Sequence, residues 1–184
     1  MSRKCLAVIA TFALFFILTA SIQAVNPTLE TIRANYSHIQ QNLKSYRVTS
    51  TNIPGESTEA GVGLAYYEGR QVKLIEITRF GETGKYCVQY YFNQDQVFFA
   101  LETEYTYNRP IYWNKKAAHE VDDSEVFNMQ KTTRQESRYY FQHEQLISWL
   151  DNNKKEHTAS AKEKNKVGKE LIADAHRRKT MVKK

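Results

Sequence analysis

The sequence predicts an α+β protein that is mainly β: an antiparallel meander of six to seven strands, one N-terminal amphipathic helix, and a basic C-terminal tail. Three observations carry that prediction. Twelve Tyr and nine Phe against seven Gly and three Pro favour strands and exclude a low-complexity chain. Apolar residues recur at helical spacing before Ser45 and alternate after it. Finally, an aromatic hairpin element repeats along the chain. A length of 184 residues suits one ordinary domain with its own core.

Arg3 and Lys4 precede an apolar run from Cys5 to Leu18, closed by Thr19-Ala20-Ser21-Ile22-Gln23-Ala24. This is the layout of a secretory signal peptide over residues 1–24, with Ala24 suited to cleavage before Val25. The expectation is an exported protein, periplasmic or secreted. An uncleaved membrane anchor is the alternative, since the run to Ile22 is about the minimum that spans a bilayer. Loss of the leader removes Cys5 and leaves Cys87 without an intrachain partner, so no disulfide framework is expected. Tyr86 and Val88 flank Cys87 and read as strand, which makes it a small buried residue near Leu101.

The mature chain opens on a helix signal. Asn26 can cap, Pro27 fits the first helical position, and Glu30 lies near the positive end of the dipole. Leu29, Ile32, Tyr36, Ile39 and Leu43 then form one stripe, predicting a helix over 28–44 with one face against the core. Beyond it, alternation predicts strands at 45–51, 61–68, 71–79, 85–92, 96–107, 134–141 and 145–150.

Three segments resemble one another: Tyr66-Tyr67-Glu68-Gly69-Arg70-Gln71-Val72, Tyr90-Tyr91-Phe92-Asn93-Gln94-Asp95-Gln96-Val97, and Tyr139-Tyr140-Phe141-Gln142-His143-Glu144-Gln145-Leu146. The first is one residue shorter, and each reads as a hairpin with a polar three-residue turn. Pairing the second about Gln94 sets Tyr90 against Phe98, Tyr91 against Val97 and Cys87 against Leu101. Both faces near that turn are then apolar, as in a sheet covered on both sides.

Charge divides the mature chain. Residues 25–150 hold 13 Lys/Arg against 15 Asp/Glu, whereas residues 151–184 hold 11 against 5. Large apolar side chains also thin out after Leu150, so the folded domain is expected at 25–150 and a flexible or partly helical basic tail at 151–184. In that tail Lys162, Lys164, Lys166, Lys169, Arg177, Arg178 and Lys179 are the expected nonspecific contacts to a polyanion. Val167, Leu171, Ile172 and Ala175 offer a short apolar face that Gly168 weakens.

The helix followed by Ala65-Tyr66-Tyr67-Glu68-Gly69, Tyr90-Tyr91-Phe92, Tyr107-Asn108-Arg109-Pro110 and Arg138-Tyr139-Tyr140-Phe141 with Leu146-Ile147-Ser148-Trp149 resembles small exported bacterial proteins of unassigned function. The resemblance covers about residues 28–152. Its motifs are structural aromatics, so it implies export and a fold without assigning an active site.

Common chemistries find little footing. His119-Glu120 and His143-Glu144 begin a zinc-protease helix pattern, and neither supplies the second His. No Gly-x-Ser-x-Gly elbow occurs, and Gly61-Val62-Gly63 and Gly81-Glu82-Thr83-Gly84 lack the helix-opening context of a phosphate cradle. Glu120, Asp122, Asp123 and Glu125 read as a solvated acidic loop. No metal or cofactor is expected. Glu102 and Glu104 share a strand face and could meet Glu76, the basis for an enzyme of unrecognised type as an alternative. The candidate ligand-binding set is Tyr105, Tyr107, Arg109, Tyr112 and Trp113, because aromatics with one Arg can stack on flat groups. The expected function is a non-catalytic binding module of the cell envelope or extracellular space. Besides the enzyme, a structural or assembly factor of an envelope complex is an alternative reading.

Overall fold

A computed structural model describes residues 27–55 and 59–182, so the leader expected over residues 1–24 lies outside the described residues. Helix α1 (Pro27–Asn42) runs into a 3-10 turn at Leu43–Ser45. Seven antiparallel strands follow: β1 (Arg47–Ile53), β2 (Gly61–Glu68), β3 (Gln71–Gly81), β4 (Gly84–Asn93), β5 (Gln96–Thr106), β6 (Thr133–Gln142) and β7 (Gln145–Leu150). They lie side by side in chain order, forming the expected meander. Short helix α2 (Lys115–Glu120) sits in the β5–β6 connection, and α3 (Ala161–Val182) closes the chain. No helix among the described residues is long and apolar enough to cross a membrane.

The repeated hairpins share a construction that differs from the expected one. Each turn has two residues rather than three: Glu68 pairs with Gln71, Asn93 with Gln96, and Gln142 with Gln145. Gln94 and Asp95, like His143 and Glu144, all have positive φ, as the tight turn favoured by twisted hairpins requires. The missing turn residue reappears as a bulge on the return strand. Tyr91 pairs with Phe99 but Phe92 with Val97, leaving Phe98 as the extra residue. Lys73 and Ile147 occupy the same place in the other two hairpins. The repeats are therefore equal in length. Ala65 takes the place of Tyr90 and Tyr139, and Tyr66 aligns with Tyr91 and Tyr140. One consequence is a corrected register in which Cys87 faces Thr103 rather than Leu101.

Neighbouring aromatics are buried together because both faces of the sheet are covered. On one face, Ile32 and Ile39 of α1 meet Leu74, Tyr91, Phe98, Phe99, Leu101 and Tyr140. On the other, Leu171, Ala175 and Val182 of α3 meet Tyr67, Ile75, Val88, Tyr90, Phe92 and Phe141. Alternation along β4 sends Tyr90 and Phe92 to α3 and Tyr91 to α1.

The second layer corrects two expectations. The folded unit extends to Val182 instead of ending near Leu150, and residues 151–182, where α3 bears out the partly helical expectation, are docked on it rather than flexible. Asp151 and Lys155 are joined by a backbone bond, His157 stacks on Trp149 at 3.8 Å, and Glu156 accepts from Ser148. Helix α3 then crosses the sheet. Gly168 lies against β7, where an added Cβ would stand 2.8 Å from that of Leu146, and the Val182 carbonyl accepts from Tyr67 of β2 at 3.0 Å. A helix of 22 residues is about 33 Å long, enough to cross seven strands at about 4.8 Å spacing.

Candidate functional site

The aromatic set proposed from sequence is not gathered into one pocket. Tyr105 lies on the α1 face of β5, its ring 4.6 Å from the Lys85 ammonium. Tyr107 instead turns into the β5–β6 connection and meets Phe127 edge-on at 5.5 Å. Arg109 is engaged by Asp123 at 2.7 Å and Glu125 at 3.3 Å, and the guanidinium holds the Asp123 carboxyl down at about 2. Its charge braces the loop. Tyr112 is exposed and donates to Glu82, while Trp113 closes the connection through backbone bonds with Pro110 and Phe127.

The C-terminal cations also divide. Lys162, Lys166, Lys169 and Arg177 are exposed on the outer side of α3, and Lys164 is bound to Glu156 at 2.7 Å. Arg178 and Lys179 are corrections to the expected polyanion contacts. Arg178 is 0 % exposed against Asp174, and Lys179 reaches Asp95 in the β4–β5 turn at 2.5 Å. Burial alone would raise the Asp174 carboxyl, but hydrogen bonds from Arg177, Tyr90 and Arg178 hold it below the usual range.

Glu76 does not meet Glu102 and Glu104, as it was expected to. Glu76 shares the α1 face with Gln89, which donates to it at 2.6 Å, whereas Glu102 faces α3. Both oxygens of Glu102 are occupied, one by the Tyr86 hydroxyl and the other by that of Tyr139 at 2.6 Å. Burial pushes the Tyr86, Tyr90 and Tyr139 hydroxyls well above the usual tyrosine range, with neighbouring carboxylates adding to the shift. Cys87 is half-buried, and burial pushes its thiol up to about 11. No cluster of three or more His, Cys, Asp or Glu among the described residues is arranged to hold a metal ion.

The site that the structure does assemble lies on the α1 face. A groove of about 610 Å³ runs between α1 and strands β5 and β6, reaching the segment after β7. Its floor is apolar and buried: Phe99, Leu101 and Tyr140 from the sheet, with Ile32 from the helix. Tyr36 packs its ring 5.2 Å from Phe99, which is 5.0 Å from Tyr140. Its rim is polar and reaches solvent through Arg33, Ser37 and Lys154. Arg134 and Arg138 flank the buried Glu136 and both bind it, while the Glu136 amide donates to Asn152 at 3.1 Å.

This groove exists because Arg134, Glu136, Arg138 and Tyr140 occupy every second position of β6 and so share one face. That spacing was a legible signal. What it lacked was a partner, since which helix lies over that face, and how much of it stays open, depends on packing between distant segments. No protein family, curated protein or solved structure matches the chain.

Proposed function

We propose that the protein is an exported, non-catalytic binding module of the cell envelope or extracellular space, with its ligand site in the groove between α1 and the β5–β6 half of the sheet. The observation that carries this reading is the groove itself: about 610 Å³ over a buried aromatic and aliphatic floor, opening at a polar rim. Volumes of about 300–1,000 Å³ with an apolar lining and a few polar groups are those of small-molecule sites. The leader-like sequence over residues 1–24 supports export. On the far side of the molecule, Lys162, Lys166 and Lys169 stand ready for a salt-sensitive contact with an anionic polymer.

The test uses N-phenyl-1-naphthylamine, an uncharged dye whose fluorescence rises in apolar surroundings. Saturable binding at one site per chain is expected. Ser37 lies at the mouth of the groove on the exposed side of α1, so Ser37→Trp should obstruct entry without disturbing the fold. A dye affinity at least about tenfold weaker at an unchanged melting temperature is the expected outcome. Absence of saturable binding, or binding indifferent to Ser37→Trp, would remove the groove as the site.

A further inference from the structure

We infer that the groove takes a single-chain amphiphile with an anionic head, an assignment of ligand class that rests on the binding-module reading above. The floor and the rim have different chemistry, and the ligand must match both. Ile32, Phe99 and Leu101 are each less than 10 % exposed and have no polar side-chain atom, and the Tyr140 ring packs beside them, which suits a hydrocarbon chain. The rim carries Arg33, Arg134, Arg138 and Lys154 against the single carboxylate of Glu136.

Glu136 cannot neutralise that rim. It binds Arg134 and Arg138 together and so holds two guanidinium groups side by side at the edge of the floor. Arg138 also donates to the Asp151 carbonyl at 3.4 Å. Arg33 and Lys154 carry no ion pair among the described residues and project at opposite banks, from α1 and from the segment after β7. A head group at the mouth therefore meets an excess of positive charge, and an anionic head is complementary to it.

The same geometry disfavours the polymeric ligands. An added peptide strand needs an unpaired sheet edge, whereas β5 and β6 are paired on both sides. A nucleic acid needs exposed ring faces on which to stack, whereas the floor rings are packed against one another. A second copy of this chain would bring another positive rim to the first.

The experiment is displacement of N-phenyl-1-naphthylamine by three twelve-carbon amphiphiles, each kept below its micelle-forming concentration: dodecyl phosphate, dodecyl maltoside and dodecyltrimethylammonium. Dodecyl phosphate should displace the dye at about tenfold lower concentration than the cation, with the neutral maltoside between them, because like-charge contacts at the rim repel the cation. Raising the salt to 0.5 M should narrow the gap. The double variant Arg33→Glu with Lys154→Glu changes two exposed side chains, so it should keep the melting temperature while cutting the gap, read against the variant's own dye affinity, to less than about threefold.

Equal potency of the three amphiphiles, preference for the cation, or a gap untouched by the double variant would overturn the anionic head while leaving the groove as a binding site. Failure of the dye to bind would instead remove the reading on which the inference rests. A dimer in sedimentation that excludes the dye and ignores dodecyl phosphate would assign the groove to a second copy, and would overturn the inference as well.

Discussion

The two faces of the sheet begin from the same alternation of apolar side chains and end differently. On the α3 side, a helix of 22 residues crosses from β7 to β2 and covers the aromatics beneath it. Its own cations are drawn in, Arg178 onto Asp174 and Lys179 onto Asp95. On the α1 side, a helix of 16 residues makes its main sheet contacts with β5 and β6, and an open groove remains beside it. Here the region that looked like an appendage is structural, and the region that looked like core packing leaves a groove open.

Removing α3 is the harshest way to break that comparison. Deletion of residues 161–184 uncovers the face on which Leu171, Ala175 and Val182 lie, and each large apolar side chain contributes about 1.5–3 kcal/mol when buried. Against a typical total stability of about 5–15 kcal/mol, the truncated chain should lose cooperative thermal unfolding by circular dichroism. A truncated protein that still melted cooperatively near the intact temperature would return residues 161–184 to the status of a tail.

The buried ion pair comes next. Arg178→Ala leaves Asp174 to Arg177 and Tyr90 and empties the space of a fully buried side chain, so it should lower stability by about 1–3 kcal/mol in chemical denaturation, whereas Arg178→Met fills the space and, with Asp174→Asn, should recover much of it. The pair also sets an acid limit. The Asp174 carboxyl is depressed in the folded protein, so its contribution is present above the unfolded value near about 4 and lost as pH falls through the folded value. The double variant should therefore unfold less steeply with acid than the parent.

The close approach of α3 to β7 should be nearly as sensitive. Gly168→Val forces a side chain toward Leu146 and should lower stability by about 1–3 kcal/mol, while Ser37→Ala on the open side of α1 should change it by less than about 0.5 kcal/mol. Similar losses at the two positions would erase the distinction between the faces.

At alkaline pH the tyrosines sharpen the contrast further. Burial raises Tyr86, Tyr90 and Tyr139 on the α3 side, and also Tyr91 on the α1 side. Raised folded values mean that their contribution is intact below the unfolded value near about 10 and is lost as pH climbs beyond it. Absorbance near 295 nm should thus report late ionisation of these groups, coinciding with unfolding.

The smallest effect concerns Cys87. With its thiol at about 11 and half-buried, the thiolate near neutral pH is scarce, and maleimide labelling should run about a hundredfold slower than for an ordinary cysteine.

What the sequence determined by itself was local and periodic. The stripe from Leu29 to Leu43 specified α1, and alternation broken by polar turns such as those at Gln94 and His143 specified the strands and their order. Adjacent aromatics at Tyr90-Tyr91 and Tyr139-Tyr140 further required two covered faces. These features follow from backbone geometry over a few residues, which side-chain order alone can encode.

Tertiary structure decided the rest. Bulges at Lys73, Phe98 and Ile147 shifted the register, because bulge and turn can exchange a residue without altering the apolar pattern. The contact stripe Gly168, Leu171, Ala175, Arg178 and Val182 looked broken in the sequence, since a glycine and an arginine interrupt it. It is continuous in the fold because Gly168 admits Leu146 and Arg178 finds Asp174. A charge is solvated until another chain segment supplies its counter-ion, and a face is open until another segment covers it. Both conditions rest on pairs of residues far apart in the chain, and only the packed molecule brings them together.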